Sequence, residues 1–211
     1  MAVVTVTRQY GSGGSLVARL VAERLGWTVI DNEFVGEVAR RAGLPTETVA
    51  AREERSPSLI ERLGKTLAIS APEMFVPAAA VEGGPDEDTL HRITERVIAE
   101  AASHGRVVLV GRGAMAYLAT APESAEVLHV YVVAPREVRI RIVVERLHVT
   151  ADEAARQIHD IDGTRERFLE HYYGRRRDDA ANYHLVVNTA WLGYEGAAEI
   201  VVDAARHRGM Q

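Results

Sequence analysis

An open α/β architecture, a five-stranded parallel sheet flanked by helices, is what this chain predicts, on three observations. Five short runs rich in β-branched residues recur along the 211 residues. Each is apolar with little alternation, the pattern of strands covered on both faces. Segments of helical periodicity separate them, which favours right-handed crossovers between parallel strands. A glycine-rich turn joins the first strand to the first helix, the place where backbone N–H groups and a helix N-terminus can bind an anion.

The first run, 3-VVTVT-7, passes through Gly11, Gly13 and Gly14 into a helix marked by Leu16, Leu20, Val21 and Leu25 at helical spacing. The second is 27-WTVID-31 and the third 106-RVVLVG-111, the latter preceded by the helical pattern of Ile93, Val97 and Ile98. More than seventy residues separate these two strands, too many for one crossover helix. Helices are expected at 33–42, 46–54, 57–69 and 86–104, with a loop over 71–85, so that 32–104 forms a helical insertion beside the sheet. After the fourth run, 127-VLHVYVVA-134, Pro135 suits the first turn of a helix. Thr150 and Glu153 then form a capping-box pattern that opens a second, charge-rich insertion at 148–179. The fifth run is 184-HLVVNT-189. With no repeat and no low-complexity linker, 1–211 reads as a single domain.

Composition narrows the function. An apolar fraction of 47% supports a substantial core. No cysteine is present, which excludes disulfides, thiol catalysis and thiolate metal sites. Acidic residues outnumber basic ones 30 to 25, for a formal charge of −5, so a nucleic acid polymer is not an expected partner. The eight histidines are scattered, without an HExxH pattern. No apolar run reaches membrane-spanning length and no secretory signal opens the sequence, so the expectation is a cytoplasmic protein without a membrane partner. The oligomeric state is left open.

Against GxxxxGK[ST], the segment from Arg8 to Ser15 matches at Gly13 and Ser15, while Arg8 replaces the first glycine and Gly14 replaces the lysine. A dinucleotide fingerprint fails because its third glycine would fall on Leu16. Two readings stand: a phosphate cradle built from Gly11, Ser12, Gly13, Gly14 and Ser15, or a turn that only reverses the chain. Ser15 is either a Mg²⁺ ligand through its hydroxyl or the cap of the following helix. Arg8, the nearest cation, either replaces the absent lysine at the phosphates or pairs with a carboxylate on the sheet. Arg139 and Arg146 lie seven apart on one helical face and Arg165 and Arg167 follow. They suit closure over phosphates, or equally a solvated, salt-bridged surface. The run 175-RRRDD-179 receives no role.

The segment 7-TRQYGSGG-14 resembles the opening of the cytidylate kinase-like family of P-loop proteins. The resemblance continues in order through 31-DNEFV-35, 110-VGRGA-114, 132-VVAPREVRIRIVVER-146, 162-DGTRERFLEHYYG-174 and 182-NYHLVVNT-189. It implies a nucleoside monophosphate kinase architecture, with an acceptor-binding insertion after strand two and a lid after strand four. The absent lysine is then a family trait. The resemblance further implies ATP and Mg²⁺ as cofactors and small nucleotides as partners, with CMP or dCMP as acceptor. Arg112 would hold the acceptor phosphate and Asp31 would face the acceptor pocket, although a strand-ending salt bridge and a helix N-cap are the plain alternatives for these two. Arg8, Arg112, Arg139, Arg146 and Arg165 are the candidate catalytic cations. The alternatives are a nucleotide-binding regulatory module and a kinase for a non-nucleotide acceptor.

Three positions depart from the family pattern. Acids usual before and after the Gly-Arg pair are replaced by Val110 and Gly113, and an arginine expected shortly before the DxxR of the lid falls on Ile158. Asp162 and Arg165 of that motif remain.

Overall fold

The computed structural model of the protein describes residues 2–31, 87–111, 113–120 and 126–210. The helices expected at 33–42, 46–54 and 57–69, the loop at 71–85, and Arg112 lie outside the described residues.

The five predicted strands form at Ala2–Arg8 (β1), Thr28–Asp31 (β2), Val107–Val110 (β3), Glu126–Val133 (β4) and Leu185–Asn188 (β5). They make one parallel sheet in the order β2-β3-β1-β4-β5, with Val4 opposite Val108 on one side and Leu128 on the other. Helices run over Gly14–Leu25 (α1), Glu87–His104 (α2), Ala114–Thr120 (α3), Arg136–Leu147 (α4), Ala151–Tyr173 (α5) and Thr189–His207 (α6). Alternation along β1 divides its side chains between two apolar layers. Val4 and Val6 pack with Val17 and Val21 of α1 and Val201 of α6, whereas Val3 packs with Val97 and Ile98 of α2 and Leu109 of β3. Both faces are therefore covered, which is why the strand runs show so little alternation.

Helix boundaries follow local chemistry. Thr150 caps α5 as its pattern predicts, accepting the Glu153 N–H at 3.3 Å. Pro135 stands one position earlier than expected: it is the N-cap of α4 and not a residue of its first turn. Its carbonyl accepts from the N–H groups of Val138 and Arg139, and its missing N–H costs nothing there. The charge-rich second insertion folds back on α4 through an apolar seam of Val143, Ala154 and Ile158 against Tyr10. Ile158, the position of an expected arginine, is 2% exposed in this seam, and a guanidinium there would be buried among aliphatic groups.

Candidate functional site

The glycine loop lies at the carboxyl end of β1, the edge at which ligands sit in open parallel sheets. Gly13, with φ of 76°, is the N-cap of α1, and Gly14 is the helix's first residue. The amides of Gly13, Gly14 and Ser15 thus occupy the helix start, where no preceding carbonyl is in reach. Ser12 braces the loop instead. It is fully buried, its N–H turns to Gln9 O (3.3 Å), and its hydroxyl donates to Gln9 O (2.8 Å) and Val132 O (3.2 Å). The Thr189 hydroxyl donates to Ser12 O at 2.8 Å, tying the start of α6 to the loop.

Ser15 is not the helix cap. The cap position is Gly13, and Ser15, one residue into the helix, donates to Asp31 Oδ2 at 3.3 Å. Asp31, at the end of β2, is 7% exposed and also receives Arg8 Nη2, 3.3 Å from each carboxylate oxygen. Arg8, Asp31 and Ser15 therefore form one buried cluster beside the loop.

The geometry around Arg8 explains the missing lysine. Gly14 does not lie in the left-handed region. A Cβ at position 14 would instead collide with the Arg8 Cβ, stand 3.0 Å from its Cγ and 3.4 Å from Val132 Cβ. Farther out, the guanidinium lies over Gly111, where an added Cβ would overlap Nη1 and come within 2.9 Å of Cζ. Two glycines and a carboxylate thus shape the path of Arg8 across the end of the sheet. Gly13 is bare for a different reason: its missing side chain would strike the Tyr194 ring, 2.8 Å from Cδ1 and 2.9 Å from Cζ.

The candidate lid arginines converge on Tyr10 and Asp162. Arg139, 7% exposed, donates from Nε to Ala134 O (3.1 Å) and from Nη1 to Tyr10 O (3.1 Å) and Asp162 Oδ2 (2.7 Å). Arg146 donates to the Tyr10 hydroxyl at 2.8 Å with its guanidinium 5.2 Å from the ring centre. Arg165 donates to Arg8 O at 3.2 Å and stands 5.9 Å from the same ring centre. Asp162 Oδ1 accepts the Tyr10 N–H (2.9 Å) and Arg177 Nη1 (2.8 Å). Burial works against the charge of Asp162, yet Arg177, the Tyr10 N–H and Arg139 hold its carboxyl below the usual carboxylate range. The arrangement braces the loop against α4 and α5 and gathers cations around it. The Asp162 hub and Arg177 escaped sequence reasoning. Asp162 carried a signal in its spacing to Arg165, but nothing in 175-RRRDD-179 distinguishes the buried Arg177 from the exposed Arg176.

On the other side of the sheet end, Tyr173 of α5 donates to Glu95 Oε1 at 3.1 Å. Its ring lies against Gly113, 2.5 Å from where a Cβ would be, so the second departure from the family acids is filled by an aromatic wall. Burial and Glu95 push the Tyr173 phenol up, keeping it a neutral donor.

A hydroxyl and a carboxylate, both hard oxygen donors, fit a Mg²⁺ ion that completes its coordination with phosphate oxygens and water. No cage of three or more His, Cys, Asp or Glu side chains forms among the described residues.

Cytidylate kinase of Sulfolobus acidocaldarius is 36% identical over 84 residues, 39% of this chain and 46% of that protein, so the match spans about half of that relative's length. Among solved structures, an uncharacterized protein from Eubacterium ventriosum superposes with a TM-score of 0.68 at 16% identity, covering 98% of this chain and 99% of that one. A shikimate kinase from Bacteroides thetaiotaomicron (TM-score 0.52, 14% identity, 100% and 99% covered) and a gluconokinase from Sinorhizobium meliloti (0.52, 16%, 98% and 94%) share the fold. Sequence similarity that runs from β1, through the loop and both arginine-bearing helices, to the start of α6 completes the assignment: over residues 3–190 the chain belongs to the cytidylate kinase-like family.

Proposed function

We propose that this protein transfers a phosphoryl group from ATP, with Mg²⁺, to a small acceptor, and that the acceptor is a nucleoside monophosphate such as CMP or dCMP. The observation that carries this reading is the placement of Arg8. Its stem occupies the side-chain space of position 14, and its guanidinium stays at the carboxyl end of the sheet beside the loop. Phosphoryl transfer needs little covalent help from protein, but it needs backbone donors, a divalent ion and cations around the migrating group. In this reading Gly11, Gly13, Gly14 and Ser15 receive the donor phosphates, Arg8 supplies the charge a lysine would bring, and Arg146 and Arg165 stand close by. Arg139 positions Tyr10, since its Nε and Nη1 are engaged by protein oxygens. Arg112 is assigned to the acceptor phosphate from the family resemblance. Residues 32–104 form the acceptor-binding insertion and 148–179 the lid of a single domain over 1–211.

A coupled ADP-release assay with MgATP and a panel of monophosphates tests it. ADP formation that depends on CMP or dCMP is the expected result. Nucleotide binding without acceptor-dependent turnover would favour a regulatory module, a reading helped by Val110 and Gly113 standing where family acids are usual. Turnover with another metabolite only would move the acceptor outside the nucleotides.

A further inference from the structure

Tyr10, the residue before Gly11 in the loop, is engaged through its backbone, its ring and its hydroxyl. Its N–H donates to Asp162, its carbonyl accepts from Arg139, and its hydroxyl accepts from Arg146. The side chain packs in the apolar seam with Val143, Ala154 and Ile158, and the guanidiniums of Arg146 and Arg165 stand 5.2 and 5.9 Å from the ring centre. These partners come from both α4 and α5, the helices that carry the candidate cations. The next residue lets α4 approach closely, since a Cβ on Gly11 would stand 3.1 Å from both Arg139 O and Val143 Cγ2. Loop, α4 and α5 therefore meet at Tyr10.

Two guanidiniums gathered at one site repel each other. Asp162 offsets this only in part, because it lies 3.9 Å from Arg165 Nη1 but is matched by Arg139 and Arg177 at 2.7 and 2.8 Å. An aromatic ring attracts cations within about 6 Å, more strongly where water is excluded, and carries no net charge. A carboxylate in its place would hold the same arginines but cancel their field and repel phosphate. We propose that Tyr10 is a positioning residue for phosphoryl transfer, whose ring holds Arg146 and Arg165 beside the phosphate loop without neutralising them. This rests on the phosphoryl-transfer reading above and gives a role to the tyrosine of 7-TRQYGSGG-14. Because Tyr10 continues directly into the cradle at Gly11, it ties the placement of both cations to the loop itself.

The test is a series at position 10: Tyr10→Phe, then the same phenylalanine carrying one, two and three ring fluorines, which keep the shape and drain the π face. Steady-state kinetics with MgATP and CMP are read beside melting curves and calorimetric affinity for inorganic tripolyphosphate. From unfluorinated to trifluorinated ring, kcat should fall stepwise by roughly three- to thirtyfold in total. KM for ATP and tripolyphosphate affinity should change less, because misplaced cations matter most when charge develops on the migrating group. In an Arg165→Gln background the dependence on fluorine should shrink, since one of the two cations at the ring is gone. Tyr10→Leu, which fills the seam without a ring, should lose at least as much kcat as the trifluorinated protein. A kcat that stays level across the fluorinated series would overturn the proposal and reduce Tyr10 to a filler of the seam. If Tyr10→Leu does not fold, the isosteric series still decides. Wild-type protein that neither binds tripolyphosphate nor forms ADP with any acceptor would reject the phosphoryl-transfer reading itself, a separate outcome.

Discussion

Installing the missing lysine should damage this protein, and Gly14→Ala isolates why. The added Cβ meets the Arg8 Cβ at less than contact distance and stands 3.0 Å from its Cγ. Arg8 cannot retreat easily, because β1 is the central strand and pairs with β4 up to Arg8 opposite Val132. Overpacking of this kind costs about 1–3 kcal/mol. Alanine's better helix propensity returns at most about 1 kcal/mol, and less than that in a first turn. A net loss of about 1–2 kcal/mol lowers the melting temperature by roughly 2–8 °C in a domain of this size. Calorimetric melting of Gly14→Ala measures it directly. Gly14→Lys carries the same clash and adds a second cation beside Arg8, so its melting temperature and turnover should both fall. Arg8→Ala should not rescue it, because alanine keeps the offending Cβ; Arg8→Gly/Gly14→Lys removes the clash. A Gly14→Ala melting temperature within about 1 °C of wild type, or faster turnover in Gly14→Lys, would refute the reasoning.

Gly13→Val should abolish ATP binding by driving a β-branched side chain into Tyr194 at a φ of 76°. Tyr194→Ala should not restore it, because the backbone strain remains; calorimetric titration with ATP decides. Asp162→Asn should cost about 3 kcal/mol at pH 7 by leaving the buried Arg139 and Arg177 without their carboxylate. Since the native carboxyl is depressed, that contribution is present above the unfolded value of about 4 and lost as pH falls through the native one, so wild type and variant should converge in acid urea titrations. His129, which shares a 2.8 Å hydrogen bond with Thr5, is lowered to about 4 by burial and then by His184 and Arg175. The unfolded chain takes up its proton first, so wild-type stability should fall from pH 6.5 toward 4 by an order of 2–3 kcal/mol, and His129→Gln should flatten that slope.

The strand runs were readable because burial on both faces removes polar alternation, and Val3–Thr7 lies wholly within β1. Thr150 was readable because a cap acts within four residues, and Pro135 missed by one because an N-cap and a first-turn proline look alike in sequence. Long-range packing left less trace. Ile158 reads as a lost arginine until the seam with Tyr10 and Val143 is seen. Arg139 reads as a lid cation until its donors are traced to Ala134, Tyr10 and Asp162, contacts 5, 129 and 23 residues away. Gly11 and Gly13 have positive φ and Gly14 does not, so the reason for a glycine at position 14 is the stem of Arg8. Such reasons depend on which side chain crosses which backbone, and no local pattern encodes that.

The central claim is that Arg8 does the work of the lysine its own stem excludes. Steady-state kinetics of Arg8→Ala with MgATP and CMP, beside calorimetric ATP affinity and a melting curve showing the variant folded, test it most directly. Charge on the migrating group matters most in the transition state, so kcat should fall by roughly 10²–10³ while ATP affinity changes by only a few-fold. A folded Arg8→Ala protein with wild-type kcat and KM would contradict the account and leave Arg146 and Arg165 as the source of that charge.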